Sequence, residues 1–426
     1  MTSLVNNSNL NSALINTINA SESKYNPSVY STKRIFPAAS TTYVRTGISS
    51  GSALANQTCV FDLMKYGIAQ QINLVYDKTT SAGTSSFSVK PFDFLLTIER
   101  IELLSSSKVI DTLTQYDLLA QFSDLDASQF NVVNESCIEE RDGILSTNPK
   151  TRHRYVIPLR FGLLSDVNTC LNLQFNEPMS IRVRWGPSLS SGFDGSGAVG
   201  TIIDQTSVAL SVRYKAYNEA DFSEILAQNY NEPELNQLSL GMYDEPIVQH
   251  TLTQANGTNN VKRMDLKQPG AKVELKNTDC VNNFYVMVME SGLPANIQDG
   301  AHQPRKINRI RMTASGQEIF DLQEEELFYA KLCMNGFSTL GNEASNVAQV
   351  RKIQTGLWEY AGSGTQSNTM SLRELNNPVI EVWFEDLINA SAGAVTKTYD
   401  VIVVEEAVKI YQTTSATGRL QTALTN

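Results

Sequence analysis

Three histidines, His153, His250 and His302, are the only side chains in the 426 residues whose unperturbed titration falls near neutral pH. A Ser-His-Asp hydrolase would need one of them beside an activated serine, and no G-x-S-x-G elbow is expected in this chain. No H-x-x-x-H or Cys/His spacing gathers three zinc ligands. Each histidine lies among turn-forming residues, where a solvated side chain is expected. Carboxylates come together at Glu324–Glu326 and at Glu405–Glu406, as a glycosidase or metal site would require. Adjacent acids on a strand point to opposite faces, and an acidic run opening a helix caps its dipole. The turn "DGSG" (Asp194–Gly197) lacks the further acidic ligands of a calcium loop. No phosphate- or dinucleotide-binding loop follows a strand. The residues therefore predict no catalytic, cofactor-binding or metal site, and the chain is expected not to be an enzyme.

What these residues would be mounted on is β structure. Charged residues make up 18% of the chain, below the roughly 25% usual in soluble domains. Asn, Ser, Thr and Gln fill the difference, and they favour turns and solvated strand faces. With 34 basic against 44 acidic residues the net charge is −10. The longest basic groupings are Lys150–Arg154 and Pro304–Lys306, so no direct contact with nucleic acid is expected. Five scattered cysteines (Cys59, Cys137, Cys170, Cys280, Cys333) read as free thiols in a reducing compartment such as a cytoplasm. No signal-peptide pattern opens the sequence, and no run of about 18 apolar residues spans a membrane.

Alternation and β-branched runs predict strands within 57–64, 71–77, 94–105, 154–161, 179–186 and 207–217, then within 261–266, 271–276, 283–290, 307–314, 378–385 and 399–411. The two sets have the same order. "IERIELLSSSKVIDTLTQYDLL" from Ile98 is echoed 209 residues later by "INRIRMTASGQEIFDLQEEELF" from Ile307. An ungapped alignment there gives identities at Ile98, Arg100, Ile101, Ser106, Ile110, Leu113 and Leu118. "INLVY" (Ile72–Tyr76) precedes the first copy as "FYVMV" (Phe284–Val288) precedes the second. "NEPMSIRVRW" and "NNPVIEVWFE" follow them in turn. Each copy runs from an alternating strand through a tight polar turn and a short strand into an acidic, helix-like stretch, "QYDLLAQF" or "EEELFYAKL". This predicts a tandem duplication. The segment Asn218–Pro246 reads as a helix at Asp221–Asn229 followed by a polar linker, with the boundary near Glu232.

The duplicated pattern resembles the double jelly-roll major capsid proteins of icosahedral DNA viruses, the hexon-like lineage. The resemblance rests on Cys59–Asp77, the two strand-turn-strand units, and "RYVIPLRFGLLSD" (Arg154–Asp166) followed by "NEPMSIRVRWG". Gly316-Gln317 matches a recurrent turn of that family, where the first copy has Ser107-Lys108. It implies an all-β fold of two tandem eight-stranded jelly rolls, with short helices in loops and at the N-terminus. The implied layout is an N-terminal arm at 1–45, a first roll with linker helix at 46–231, a second roll at 232–412 and a tail at 413–426. The implied function is a homotrimer forming pseudo-hexagonal capsomers that tile a virion shell. Its partners would be neighbouring trimers, a penton or vertex protein, minor capsid or membrane proteins, and an internal membrane. Leu10, Leu14 and Ile18 sit at helical spacing in the arm, either as a helix packing under the shell or as a disordered polar arm. Four long loops, 122–153, 186–207, 291–306 and 334–370, would form tower and trimer contacts. The rival class is a two-domain β-sandwich binding module, such as a carbohydrate-binding spike or fibre component. It would place aromatics in an exposed cleft, whereas Trp185 and Trp383 sit in strands and read as core.

Overall fold

The computed structural model describes residues 40–80, 97–123, 152–165, 171–173, 177–187, 201–216, 234–277, 280–291, 304–327, 350–355, 370–389, 393–414 and 420–423. Its first half opens with β1 (Ser40–Gly47), β2 (Ser50–Gly51), β3 (Thr58–Asp62), β4 (Ile68–Thr80), β5 (Ile98–Ser105) and β6 (Lys108–Thr114). A helix, α1 (Gln115–Ser123), precedes β7 (Arg152–Pro158), and a helical turn, α2 (Gly162–Ser165), follows it. Then come β8 (Leu171–Asn172), β9 (Met179–Trp185), β10 (Thr201–Ile203) and β11 (Ala209–Ala216). The second half has β12 (Glu234–Asp244), β13 (Val248–Gln254), β14 (Asn259–Arg263), β15 (Ala271–Glu274), β16 (Cys280–Glu290) and β17 (Lys306–Ala314). It ends with β18 (Gln317–Gln323), β19 (Arg351–Gln354), β20 (Met370–Ser371), β21 (Val379–Asn389), β22 (Val395–Thr414) and β23 (Leu420–Ala423).

Each stretch read as a strand from alternation contains a strand, and among the described residues all pairings are antiparallel. The first half forms two sheets, β1-β11-β4-β7 and β3-β9-β5-β6, with β2, β8 and β10 added at their margins. The second repeats the arrangement as β12-β22-β16-β19 and β15-β21-β17-β18, with β13, β14, β20 and β23 added. Two four-stranded sheets whose neighbours are distant in sequence make an eight-stranded jelly roll. The chain is a double jelly roll.

Burial follows the alternation where one sheet face meets solvent. In β9, Met179, Ile181, Val183 and Trp185 are buried while Ser180, Arg182 and Arg184 are half-buried. In β16 the residues from Phe284 to Met289 are buried without a break, the mark of a strand covered on both faces. Phe284, Val286 and Val288 enter the core of the second roll, and Tyr285, Met287 and Met289 enter the core cluster of the first. Strand β22 divides in the same way, Val401 and Val403 against Ile402 and Val404.

The duplication extends to irregularities in the ladders. The β5–β9 register shifts between Ile98 and Arg100, and the β17–β21 register between Ile307 and Arg309. The β5–β6 shift at Leu103/Leu104 recurs in β17–β18 at Met312/Thr313. The bulge that skips Gln70 in β4 recurs at Asn282 in β16. All three pairs coincide in the sequence alignment. Ser106 and Ser315 both hold the hairpin turn at positive φ, 54° and 53°. A capping carboxylate follows each hairpin. Thr114 N–H donates to Asp117 Oδ2 at 2.7 Å, and Gln323 N–H to Glu326 Oε2 at 2.6 Å.

Several expectations are corrected. The polar linker ending at Pro246 contains β12, which pairs with the C-terminal half of β22 and supplies the first strand of the second roll. Its sequence, "ELNQLSLGMYD", has few β-branched residues, so the pairing partner and not propensity makes it a strand. Strand β1 crosses residue 45, the expected end of the arm, and β23 lies within the segment 413–426. Strands β10 and β19 interrupt two of the four long loops, 186–207 and 334–370. The helix expected at Asp221–Asn229 lies outside the described residues, whereas residues 115–123 and 324–327 are helical as expected.

Candidate assembly surfaces

The most built polar site joins the two rolls. Asp111 of β6 accepts hydrogen bonds from Lys409 Nζ at 2.8 Å, Tyr411 OH at 2.9 Å and the Gly162 N–H at 2.8 Å. Lys409 Nζ also donates to the Met242 carbonyl at 3.0 Å and lies 4.2 Å from the Tyr243 ring centroid. Asp111 is 4% and Lys409 7% exposed, so this is an ion pair removed from water. Its hydrogen bonds offset a desolvation cost that an isolated pair would not recover. Gly241 makes room for it: a Cβ there would stand 2.2 Å from the nearest carbon of the Lys409 stem.

Around the bridge, Met242, Tyr285, Met287, Met289, Ile402, Val404 and Tyr411 of the second roll pack into the core cluster of the first. Full burial of an apolar side chain contributes about 1.5–3 kcal/mol, so this seam contributes at most on the order of 10–20 kcal/mol. Asp117 of α1 is buried beside it. Burial first, and then the Asp244 carboxylate of β12, hold the Asp117 carboxyl well above its ordinary range, against the pull of the Thr114 N–H and Lys409. Burial, and then Asp111, likewise raise the Tyr411 hydroxyl.

Outside the seam the charges form surface lattices. On the β15-β21-β17-β18 sheet, Lys272 and Arg311 pair with Glu381, Arg263 and Lys306 with Glu385, and Arg309 with Asp321. Burial raises Glu381 and Glu385, but these cations outweigh it and hold both below the ordinary carboxylate range. The Arg311–Glu381 pair stands where the first roll has Glu102–Arg182, the same bridge with its signs exchanged. In the first roll, burial raises Asp77, but Arg154 and Arg152 leave its carboxyl lowered.

The residues searched for chemistry fall elsewhere. His153 is in β7 and His250 in β13, both on strands and not in turns. The His250 ring lies edge-on to Phe384 at 5.8 Å, and burial lowers its pKa. His302, Asp194–Gly197, Trp358, Leu10, Leu14 and Ile18 lie outside the described residues. Glu405 accepts from Asn277 Nδ2 at 2.8 Å, and Glu406 from Asn282 Nδ2 at 3.1 Å. Both are held by amides along β16 and its approach. One G-x-S-x-G string does occur, Gly47–Gly51, but it joins β1 to β2 and leads into no helix. Ser49 Oγ there donates to the Val60 carbonyl at 2.9 Å. Trp185 is fully buried, its Nε1 donating to Cys59 Sγ at 3.2 Å, and burial pushes that thiol up to about 11. Trp383 is 1% exposed, with Nε1 donating to the Gln268 carbonyl at 2.8 Å. Among the described residues no group of three His, Cys, Asp or Glu is placed to hold a metal. No described helix is long and apolar enough to cross a membrane.

No protein-family model matches the chain, and no curated protein matches its sequence. Solved structures match its fold. A chain of the PBCV-1 virus capsid superposes with a TM-score of 0.60 at 10% identity, over 93% of this chain and 99% of that one. The mavirus major capsid protein gives 0.55 at 11% identity, over 93% of each chain. The Faustovirus major capsid protein gives 0.54 at 10% identity, over 90% of this chain and 92% of that one.

Proposed function

We propose that this chain is a major capsid protein, a structural subunit that works by shape and surface burial. Three copies would associate into a pseudo-hexagonal capsomer, and capsomers would tile an icosahedral virion shell. The observation that carries this reading is the extent of the likeness: 93% of this chain matches 99% of a PBCV-1 capsid chain, both rolls included. Six similar rolls in three chains approximate sixfold symmetry while a single trimer interface is specified. The buried seam supports the reading, since it makes the two rolls one rigid tile. The Asp111–Lys409 bridge and the apolar cluster serve that rigidity.

The proposed partners are further trimers, a penton or vertex protein and minor capsid or membrane proteins. The proposed place is the virion, assembled in the host cytoplasm or another reducing compartment, with Leu10, Leu14 and Ile18 of the arm packing beneath the shell, against neighbours or an internal membrane. The proposed division stays at 46–231 and 232–412, with residues 40–45 and 420–423 joined to the rolls whose sheets they extend. Light scattering of the purified chain, followed by negative-stain imaging of the same peak, tests the reading. A species of three times 47.1 kDa with a hexagonal outline is expected. A stable monomer that binds glycans would overturn it.

A further inference from the structure

The seam inside the chain joins unlike surfaces. The outer face of the β12-β22-β16-β19 sheet of the second roll meets β6, α1 and α2 at the rim of the first. Because the rolls are copies, each carries a face and a rim, and the seam uses one of each. The first roll keeps its face and the second keeps its rim.

Both are open. On the first roll's face, Tyr43 stands opposite Arg213, Arg213 opposite Gln71, and Thr41 opposite Lys215. These side chains point away from the core, because the adjacent Val212 and Tyr214 are buried in it. Tyr43 is 67% exposed, with its ring 5.8 Å from the Arg213 guanidinium. By ladder position Tyr43 corresponds to Met242, which the seam covers. On the second roll's rim, Ile319 is 39% exposed where its counterpart Ile110 is 4% exposed. Glu318, Glu325 and Glu326 are exposed around it.

The two faces differ in polarity. Where the second roll has Tyr285, Met287, Met289, Ile402 and Val404, the first has Asn73, Val75, Asp77, Ala209 and Ser211. An apolar face must be covered permanently, whereas a polar one suits a contact between subunits that first exist apart. The charges also complement each other. Ladder position equates Arg45 with Asp244, and the alignment equates Glu326 with Asp117. The seam thus sets Asp244 beside Asp117, two like charges, where the open surfaces would set Arg45 beside Glu326. The Asp111–Lys409 bridge has no such counterpart, since Phe320 and Ala216 occupy the equivalent positions.

We propose that the acidic rim of the second roll, β18 with residues 324–327, docks on the β1-β11-β4 face of the first roll in a second copy of this chain. Tyr43 is buried there and Arg45 faces Glu326. The assignment rests on the association proposed above and names the surfaces that make it. A contact between unlike surfaces propagates from copy to copy and closes into a ring when the rotation allows.

The test is native mass against concentration for the full chain, with thermal melts of each variant. Tyr43→Ala and Arg45→Glu should each shift association at least about tenfold toward monomer. Tyr43→Ala should leave the melt unchanged, whereas Arg45→Glu also loses the bond from Arg45 Nη2 to the Ser207 carbonyl at 2.7 Å and should lower it slightly. Glu326→Lys should do the same, and combining it with Arg45→Glu should restore association. Because Glu326 also caps its helix, Glu326→Gln serves as the variant that keeps the cap and loses the charge. Wild-type association should weaken as salt rises. Oligomers that persist unchanged in Tyr43→Ala and Arg45→Glu, or that ignore salt, overturn the surface assignment and leave the capsid reading standing. A wild-type chain monomeric at every concentration overturns the surface assignment together with the trimer it rests on.

Discussion

Replacing Asp111 by alanine tests whether the two rolls act as one body. The substitution removes a carboxylate that accepts from Lys409 at 2.8 Å, Tyr411 at 2.9 Å and Gly162 at 2.8 Å. Lys409, 7% exposed, is left with the Met242 carbonyl and the Tyr243 ring. Breaking a buried ion pair costs about 3–5 kcal/mol, and each orphaned buried hydrogen-bonding group about 1–3 kcal/mol. The three partners share one network and water can enter the seam, so the costs do not add. A loss of about 4–5 kcal/mol is expected, a large share of a domain's usual 5–15 kcal/mol. Scanning calorimetry is the assay, because it reports stability and cooperativity together. The wild type should melt in one transition, and Asp111→Ala should lower its midpoint and broaden it as the coupling between the rolls weakens. A single transition with a loss below about 1 kcal/mol would refute the reasoning, since it would mean that the bridge is screened by solvent.

Asp117→Asn should raise the denaturation midpoint at pH 7 and leave it unchanged near pH 4. The folded carboxyl is raised above its unfolded value, so its contribution to stability is full below the unfolded value and is lost as pH climbs through the folded one. Asparagine keeps the acceptor for the Thr114 N–H without the charge, and a lower midpoint at pH 7 would contradict this. Ser315→Gly should stabilise the chain by about 0.5–1 kcal/mol, by removing a Cβ from a residue at positive φ. Ser106→Gly should gain less in the same urea titration, because Ser106 Oγ also donates to Glu177 at 3.0 Å. Gly270→Ala should cost about 1–3 kcal/mol by overpacking. Its Cβ would meet the Val382 carbonyl at 2.9 Å and the Trp383 ring at 3.0 Å. Tryptophan emission should shift to the red as Trp383 loses its cover, and unchanged emission would count against the packing described.

The strands were legible because alternation is a local signal, and the repeat because each copy carries the same turn and cap. Ser106 with Ser315, and Asp117 with Glu326, are visible as aligned residues before any coordinates. The seam was not legible. Asp111 and Lys409 lie 298 residues apart, and neither sits in a pattern that announces a partner. Strand β12 was hidden because its polar, leucine-spaced sequence lacks strand propensity and is held by β22. The Asn-x-Pro motifs misled in a subtler way. Matching them pairs Trp185 with Glu385, but the ladders pair Trp185 with Ile98 and Phe384 with Ile307, so Phe384 is the true counterpart. A one-residue slip exchanges the inner and outer faces of a strand. The continuous apolar run of β16 was visible, and a strand covered on both faces is what such a run means.

That doubly covered sheet has a consequence for how the protein is made. A roll with apolar side chains on both faces of a sheet has no soluble form of its own. The surface that must cover it, β6 with α1 and α2, lies earlier in the chain and leaves the ribosome first. We infer that the first roll acts as a built-in chaperone for the second, holding a finished docking rim while β16 and then β22 emerge. The order of the two halves would then matter as much as their sequences. A permuted gene that synthesised residues 232–426 first should yield more aggregated chain, although every contact in the finished fold would be the same.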